Sequence, residues 1–257
     1  MKFSVSDLPF GSFSKAFLKA LPMQYDIEIF YEFGTDHYWD YVLKDLKSRD
    51  GAERRFSIHG PCVAVNLADP NDTAYLEVYE KTFAYAAKIN AAFVVVHSNE
   101  AWHFAGEKLA VQELVCSRIE KLLQLAGKYG VTVALENVGL RTTGTLLFEY
   151  EEYLGLFKRF PNAAALLDTG HAHVNGWKLS DVLRDLNKKL VGVHIHDNDG
   201  TADAHLPVGC GNIDWNDYFA ALKEYAPQAV QVCEYAAINQ YAMVTESLAK
   251  LEEAVNK

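Results

Sequence analysis

The feature that most constrains this chain is an alternation. Short apolar runs recur at 3–5, 27–30, 56–59, 93–97, 131–136, 164–168, 191–196 and 230–234, with amphipathic stretches between them. In 107–129, Val115, Ile119, Leu122, Leu123 and Ala126 share one face at helical spacing, and in 72–90 so do Tyr75, Tyr79, Phe83, Ala86 and Ala87. Asp214 is placed to cap the helix of "WNDYFAALKEYA", and Pro227 to stop it. Strands separated by helices pair in parallel, because a parallel neighbour needs a crossover connection. Eight such units in 257 residues is the size of a (β/α)8 barrel. A doubly wound open sheet is the alternative, but eight units exceed its usual count. The expectation is an α/β chain folded as a single (β/α)8 TIM barrel, with residues 1–257 forming one domain.

Composition bounds the partners. The formal net charge is −10, and an acidic surface repels phosphate backbones, so nucleic acid is disfavoured. The cysteines, at 62, 116, 210 and 233, form no C-x-x-C pair and suggest no disulfide framework. Nothing around them marks a nucleophile. No run of eighteen apolar residues suits a membrane span, and "MKFSVSDLPFGSFSKAFLKA" lacks the apolar core of a signal peptide. The expected setting is reducing and cytoplasmic, with no membrane partner. No G-x-S-x-G, H-E-x-x-H or P-loop occurs.

The ionisable residues follow the alternation. Six of the eight runs end in or near a metal-ligand type: His59, His97, Glu136, Asp168, His194 and Glu234. Barrel active sites lie at the carboxyl ends of the strands. In "VTVALE", Val131, Val133 and Leu135 would face the helices, leaving Thr132, Ala134 and Glu136 toward the axis. In "VGVHIH", Val191, Val193 and Ile195 would face out, and Gly192, His194 and His196 in. One strand-end histidine is ordinarily a hydrogen-bonded structural residue. Six such residues around one mouth are different, because clustered carboxylates repel and are costly to desolvate unless a cation compensates them. Further ligand types lie in loops: His171 in "DTGHAH", and Asp203 and His205 in "DAH". His196 and His173 are expected to support the site rather than to ligate. The imidazole–carboxylate mixture suits zinc, manganese, cobalt or iron(II), and magnesium less well.

These motifs carry a resemblance. "SIHGPCVAVNLADPND", "FVVVHSN", "ALENVG", "LLDTGHAHVNG", "VHIHDNDGTADAHLPVGCGNIDW" and "VCEY", in that order over about residues 55–240, resemble the xylose isomerase-like barrel superfamily. That superfamily includes sugar isomerases, ketose 3-epimerases and type IV AP endonucleases. In the epimerase branch two Glu, one Asp and one His hold the metal, which the resemblance assigns to Glu136, Glu234, Asp168 and His194. The two glutamates there also serve as acid and base, and His171 would touch substrate. In the endonuclease branch three metals are held by nine residues. All nine have counterparts here: His59, His97, Glu136, Asp168, His171, His194, Asp203, His205 and Glu234. The endonucleases usually read G-E-G where this chain has Gly209-Cys210-Gly211.

The expectation is a divalent-metal-dependent sugar or sugar-phosphate isomerase or epimerase, with one to three ions of manganese, zinc, cobalt or magnesium per chain. The alternatives are an endonuclease IV-like multi-metal phosphodiesterase or a metal-dependent lyase. Glu136 and Glu234 are the candidate catalytic pair. Trp102, His103, Arg141 and His196, with Tyr38 or Trp39, are candidate substrate contacts at the mouth. DNA recognition needs Lys and Arg on phosphates. The loops "SDLPFGS", "SNEAWHFAGEK", "NDGTADAH" and "YAAINQ" carry few, and Arg141 is the one basic candidate.

Overall fold

The computed structural model describes residues 1–8, 18, 20–32, 36–50, 54–99, 107–236 and 241–256. Eight strands are formed: β1 (Lys2–Ser6), β2 (Asp26–Phe30), β3 (Phe56–His59), β4 (Val94–His97), β5 (Val133–Glu136), β6 (Ala164–Asp168), β7 (Leu190–Ile195) and β8 (Val230–Cys233). Each pairs in parallel with the next, and β1 with β8, so the sheet closes into a barrel. Closure leaves no sheet edge to protect.

Among the described residues the helices are α1 (Asp36–Asp50), α2 (Tyr75–Ile89), α3 (Lys108–Tyr129), α4 (Tyr150–Arg159), α5 (Thr169–Val174), α6 (Leu179–Leu186), α7 (Trp215–Tyr225) and α8 (Tyr241–Asn256). The face expected of α3 is buried throughout. On α2, Tyr75, Tyr79, Phe83 and Ala86 are buried, but Ala87 is exposed and Thr82 and Tyr85 take the remaining inward places. At 100° per residue the apolar stripe passes through 82 and 86, and Ala87 lies past its edge. Asp214 caps α7, its carboxylate accepting from the backbone N–H of Asn216 and Asp217, and the helix stops before Pro227. Among the described residues no helix is long and apolar enough to cross a membrane.

Two apolar layers result. The larger lies between staves and helices and takes Val133, Leu135, Val193 and Ile195, the outward residues of β5 and β7. The smaller fills the barrel axis with Phe93, Val95, Ala134, Ala164 and Leu166. Val191 departs from simple alternation, packing against this inner cluster. The cause is a register shift between Ala165 and Leu166, where the β6 partners jump from Leu190 to Gly192. Such a bulge leaves one residue without a partner and re-aims its side chain. Gly192 leaves room there for the Phe93 ring, whose tip a Cβ would approach to 2.8 Å.

Candidate functional site

Above the inner apolar layer the barrel turns polar. Strand pairing sets His97 beside Glu136 and Asp168 beside His194, so residues far apart in sequence share one level of the barrel. His97 Nε2 lies 3.0 Å from Glu136 Oε2. His194 Nδ1 is 3.3 Å from Glu234 Oε2, 3.6 Å from Glu136 Oε2 and 4.0 Å from Asp168 Oδ2. The His59 ring stacks on His194 at 5.7 Å and meets His97 edge-on at 4.8 Å. The inward parity expected of Glu136, His194 and His196 therefore holds in space.

The loops complete the ring. Asp168 ends β6 and caps α5: its Oδ1 accepts from the His171 N–H at 2.6 Å, and its Oδ2 lies 2.8 Å from His196 Nε2. Asn137, just past β5, locks the end of β6 by accepting from the Asp168 N–H and donating to its carbonyl, at 2.7 and 3.0 Å. His171 then reaches Glu136 at 3.5 Å and Asp203 at 3.2 Å. The loop after β7 brings Asp203 within 3.0 Å of His205 Nε2. His205 stacks on His196 with ring centres 3.9 Å apart. That stack depends on Gly170, where a Cβ would sit 2.0 Å from the His196 ring.

Asp197 staples the loop. One carboxylate oxygen accepts from the N–H of Asn198 and Ile213, the other from the N–H of Gly209 and the indole of Trp215, at 2.8–3.2 Å. Asp197 also forms an antiparallel bridge with Leu206. His205 adopts φ +44, a left-handed conformation uncommon outside glycine. Its ring nitrogen Nδ1 is within 3.0 Å of the Glu234 carbonyl, which ties the loop to β8.

Charge is balanced within the cluster. Burial alone would raise the Glu136 carboxyl, but His97 and His194 outweigh it and hold it well below the usual carboxylate range. The same balance lowers Asp168, beside His171 and His196, and Asp203, beside His171 and His205. Burial pulls the histidines down, yet Glu234, Glu28 and Glu136 lift His194, and Asp168 and Asp203 lift His171, well above the ordinary value. His205 rises to about 9 through Asp203 and Glu234 against its burial.

The donor set fits a divalent cation. Glu136 Oε2, His194 Nδ1 and Glu234 Oε1 are buried and, apart from the histidine–carboxylate contacts above, make no aligned hydrogen bond; the same holds for His171 Nδ1, His196 Nδ1 and Asp203 Oδ1. Buried polar atoms are normally satisfied. Ligand atoms of His59, Glu136 and His194 gather within 4.8 Å of one another, as do those of Glu136, Asp168 and His171, and those of His196, His205 and Glu234.

The other candidate contacts meet the rest of the chain in different ways. Arg141 is in a three-residue 3-10 turn, and its guanidinium donates to Glu149 at 2.6 Å and the Asn175 carbonyl at 3.3 Å. Trp39 is fully buried in α1, and Tyr38 packs beside it. His173 is at hydrogen-bond distance, 2.6 Å, from Asn212 on the loop surface. Trp102 and His103 lie outside the described residues. Cys233 is buried with its thiol pushed up to about 12, unsuited to a nucleophile. One residue beneath the mouth is not at a strand end and was not expected: Glu28, in the middle of β2, is fully buried with its Oε1 2.8 Å from His194 Nε2. Its inward parity with Phe30 was the available signal.

A family model described as xylose isomerase-like TIM barrel matches residues 27–254. An uncharacterised protein of Methanocaldococcus jannaschii is 29% identical, covering 100% of this chain and 91% of its own length. A probable L-ribulose-5-phosphate 3-epimerase of Mycoplasma pneumoniae is 23% identical over 77% of this chain and 67% of its own. Among solved structures, a D-tagatose 3-epimerase-like protein superposes with a TM-score of 0.83 at 25% identity, covering 100% of this chain and 98% of its own.

Proposed function

The chain belongs to the xylose isomerase-like TIM barrel family, and from that premise we propose that it is a divalent-metal-dependent isomerase or epimerase of a small sugar or sugar phosphate. The observation that carries this is a pair of buried glutamates, Glu136 on β5 and Glu234 just past β8, both within 3.6 Å of His194 Nδ1. The resemblance to proteins named as ketose 3-epimerases supports the sugar substrate.

Glu136, Asp168, His194 and Glu234 would hold the metal. A cation there would supply Lewis acidity, making a C–H beside the substrate carbonyl more acidic. Glu136 on β5 and Glu234 just past β8 are separated around the barrel by β6 and β7, so they would approach a bound substrate from different sides. One glutamate takes the proton from carbon and the other returns a proton on the opposite face. His97 and His171 hold Glu136 ionised, the state a base requires. His171, partly open to solvent beside Asp203, would touch substrate.

The test is solvent exchange. Protein loaded with manganese, cobalt or zinc is incubated with a panel of free and phosphorylated ketoses in D2O, and NMR follows deuterium at the carbons beside the carbonyl. Exchange that Glu136→Gln and Glu234→Gln each abolish is the expected result. No exchange with any sugar, or full exchange in both variants, would overturn the proposal.

One observation favours a second reading. All nine ligand types of the endonuclease branch converge here, Asp203 and His205 included. Arg141, the one basic candidate for a phosphate contact, is paired with Glu149, which weakens that reading. Cleavage of an abasic-site oligonucleotide by protein holding three zinc ions per chain would establish it over the first.

A further inference from the structure

Glu28 invites assignment as one more ligand, since its carboxylate, His194 and Glu234 offer ligand atoms within 4.8 Å of one another. Its hydrogen bonds argue otherwise. Both of its oxygens are engaged: Oε1 with His194 Nε2 at 2.8 Å, and Oε2 as acceptor from the Ser57 hydroxyl at 2.8 Å. Glu234 Oε1, by contrast, has no hydrogen bond, and Glu136 Oε2 meets only histidine ring nitrogens, His97 Nε2 at 3.0 Å and His194 Nδ1 at 3.6 Å, without the alignment of a hydrogen bond.

The two ring nitrogens of His194 face different company. Nδ1 looks toward Glu234, Glu136 and Asp168, and Nε2 toward Glu28. A neutral imidazole has one N–H and one lone pair, on different nitrogens, and the hydrogen bond at one fixes what the other can do. Strand register makes the arrangement specific. Glu28 pairs across to Ser57 on β3 and to Ser6 on β1, two residues below the level of His59. It therefore sits beneath the mouth, behind the histidine.

We propose that Glu28 is a positioning residue for the metal centre: held by Ser57, it accepts the Nε2–H of His194 and so presents the Nδ1 lone pair to the cation. This rests on the metal reading of the Glu136–Asp168–His194–Glu234 cluster. Carboxylates behind ligating histidines fix the tautomer and ring orientation, and losing one typically weakens metal binding by roughly 10–100-fold.

The experiment measures zinc affinity by chelator competition on wild type, Glu28→Gln, Ser57→Ala and His194→Ala, with cobalt absorption spectra as a probe of coordination. Glu28→Gln is expected to bind zinc about 10–100-fold more weakly with an altered cobalt band, and Ser57→Ala to lose less. Wild-type affinity and an unchanged band in folded Glu28→Gln would overturn the proposal. If that variant does not fold, long-range 15N–1H spectra of zinc-loaded wild type decide the matter. Zinc on Nδ1 with a proton on Nε2 of His194 supports it, and zinc on Nε2 refutes it. Undiminished zinc binding in His194→Ala would instead show that the cluster itself is misassigned.

Discussion

The mouth has two halves built by different means. Glu136, Asp168, His194 and Glu234 stand on or just past barrel staves, and backbone pairing places them. Asp203 and His205 hang from a loop that side chains hold in place, chiefly Asp197, with Asn198 donating to the Gly170 carbonyl. The stave half inherits rigidity from the barrel. The loop half has as much order as its staples provide. If the two halves also divide the labour, the stave half carries the chemistry and the loop half shapes what enters.

The largest effect should come from the stave half. Glu136→Gln and Glu234→Gln are each expected to lower the deuterium-exchange rate by about 10²–10⁴-fold, the range for loss of an acid or base. Asp203→Asn should cost far less in rate on the same substrate. Equal losses in both halves would end the division.

Asp197→Ala should then separate the halves physically. It strands buried N–H donors, so a loss of about 3 kcal/mol in unfolding free energy is expected by thermal denaturation. Zinc affinity at the stave centre should change less than in His194→Ala. Gly170→Ala links the halves, because its Cβ must displace the His196 ring. About 1–3 kcal/mol is expected from such overpacking.

pH probes the loop half gently. The His205 pKa is raised to about 9, so its contribution to stability is complete below about 6.5 and is lost as pH rises through about 9. The metal-free protein should show a falling Tm across that window, and His205→Gln a flatter profile. Zinc affinity should rise over the same range, since a cation displaces those protons. Smallest of all, Arg141→Ala removes an exposed pair with Glu149 and should leave the Tm essentially unchanged. A tenfold fall in exchange with a phosphorylated ketose would restore Arg141 as a phosphate contact.

Much of the barrel and its mouth is legible in the chain alone. Strand period exposes Glu136 and His194 as inward residues, because side chains alternate strictly along a stave. The same rule fails at Val191, where a bulge intervenes, and the helical stripe fails at Ala87, which lies just off the buried face. Glu28 does not stand at a strand end, where ligand types draw notice. It meets its partner, His194, from mid-strand and across 166 residues of sequence.

The sequence by itself determined the barrel and the identity of its polar ring, because apolar periodicity and ligand-type residues at strand ends are local properties of the chain. Only the tertiary structure decided which nitrogen of His194 faces the carboxylates, what stands behind it, and how Asp203 and His205 come to rest beside His171 and Glu234. Those are relations across the barrel and across a folded loop. They depend on register, closure and the hydrogen bonds of Asp197, none of which exists until all eight strands have met.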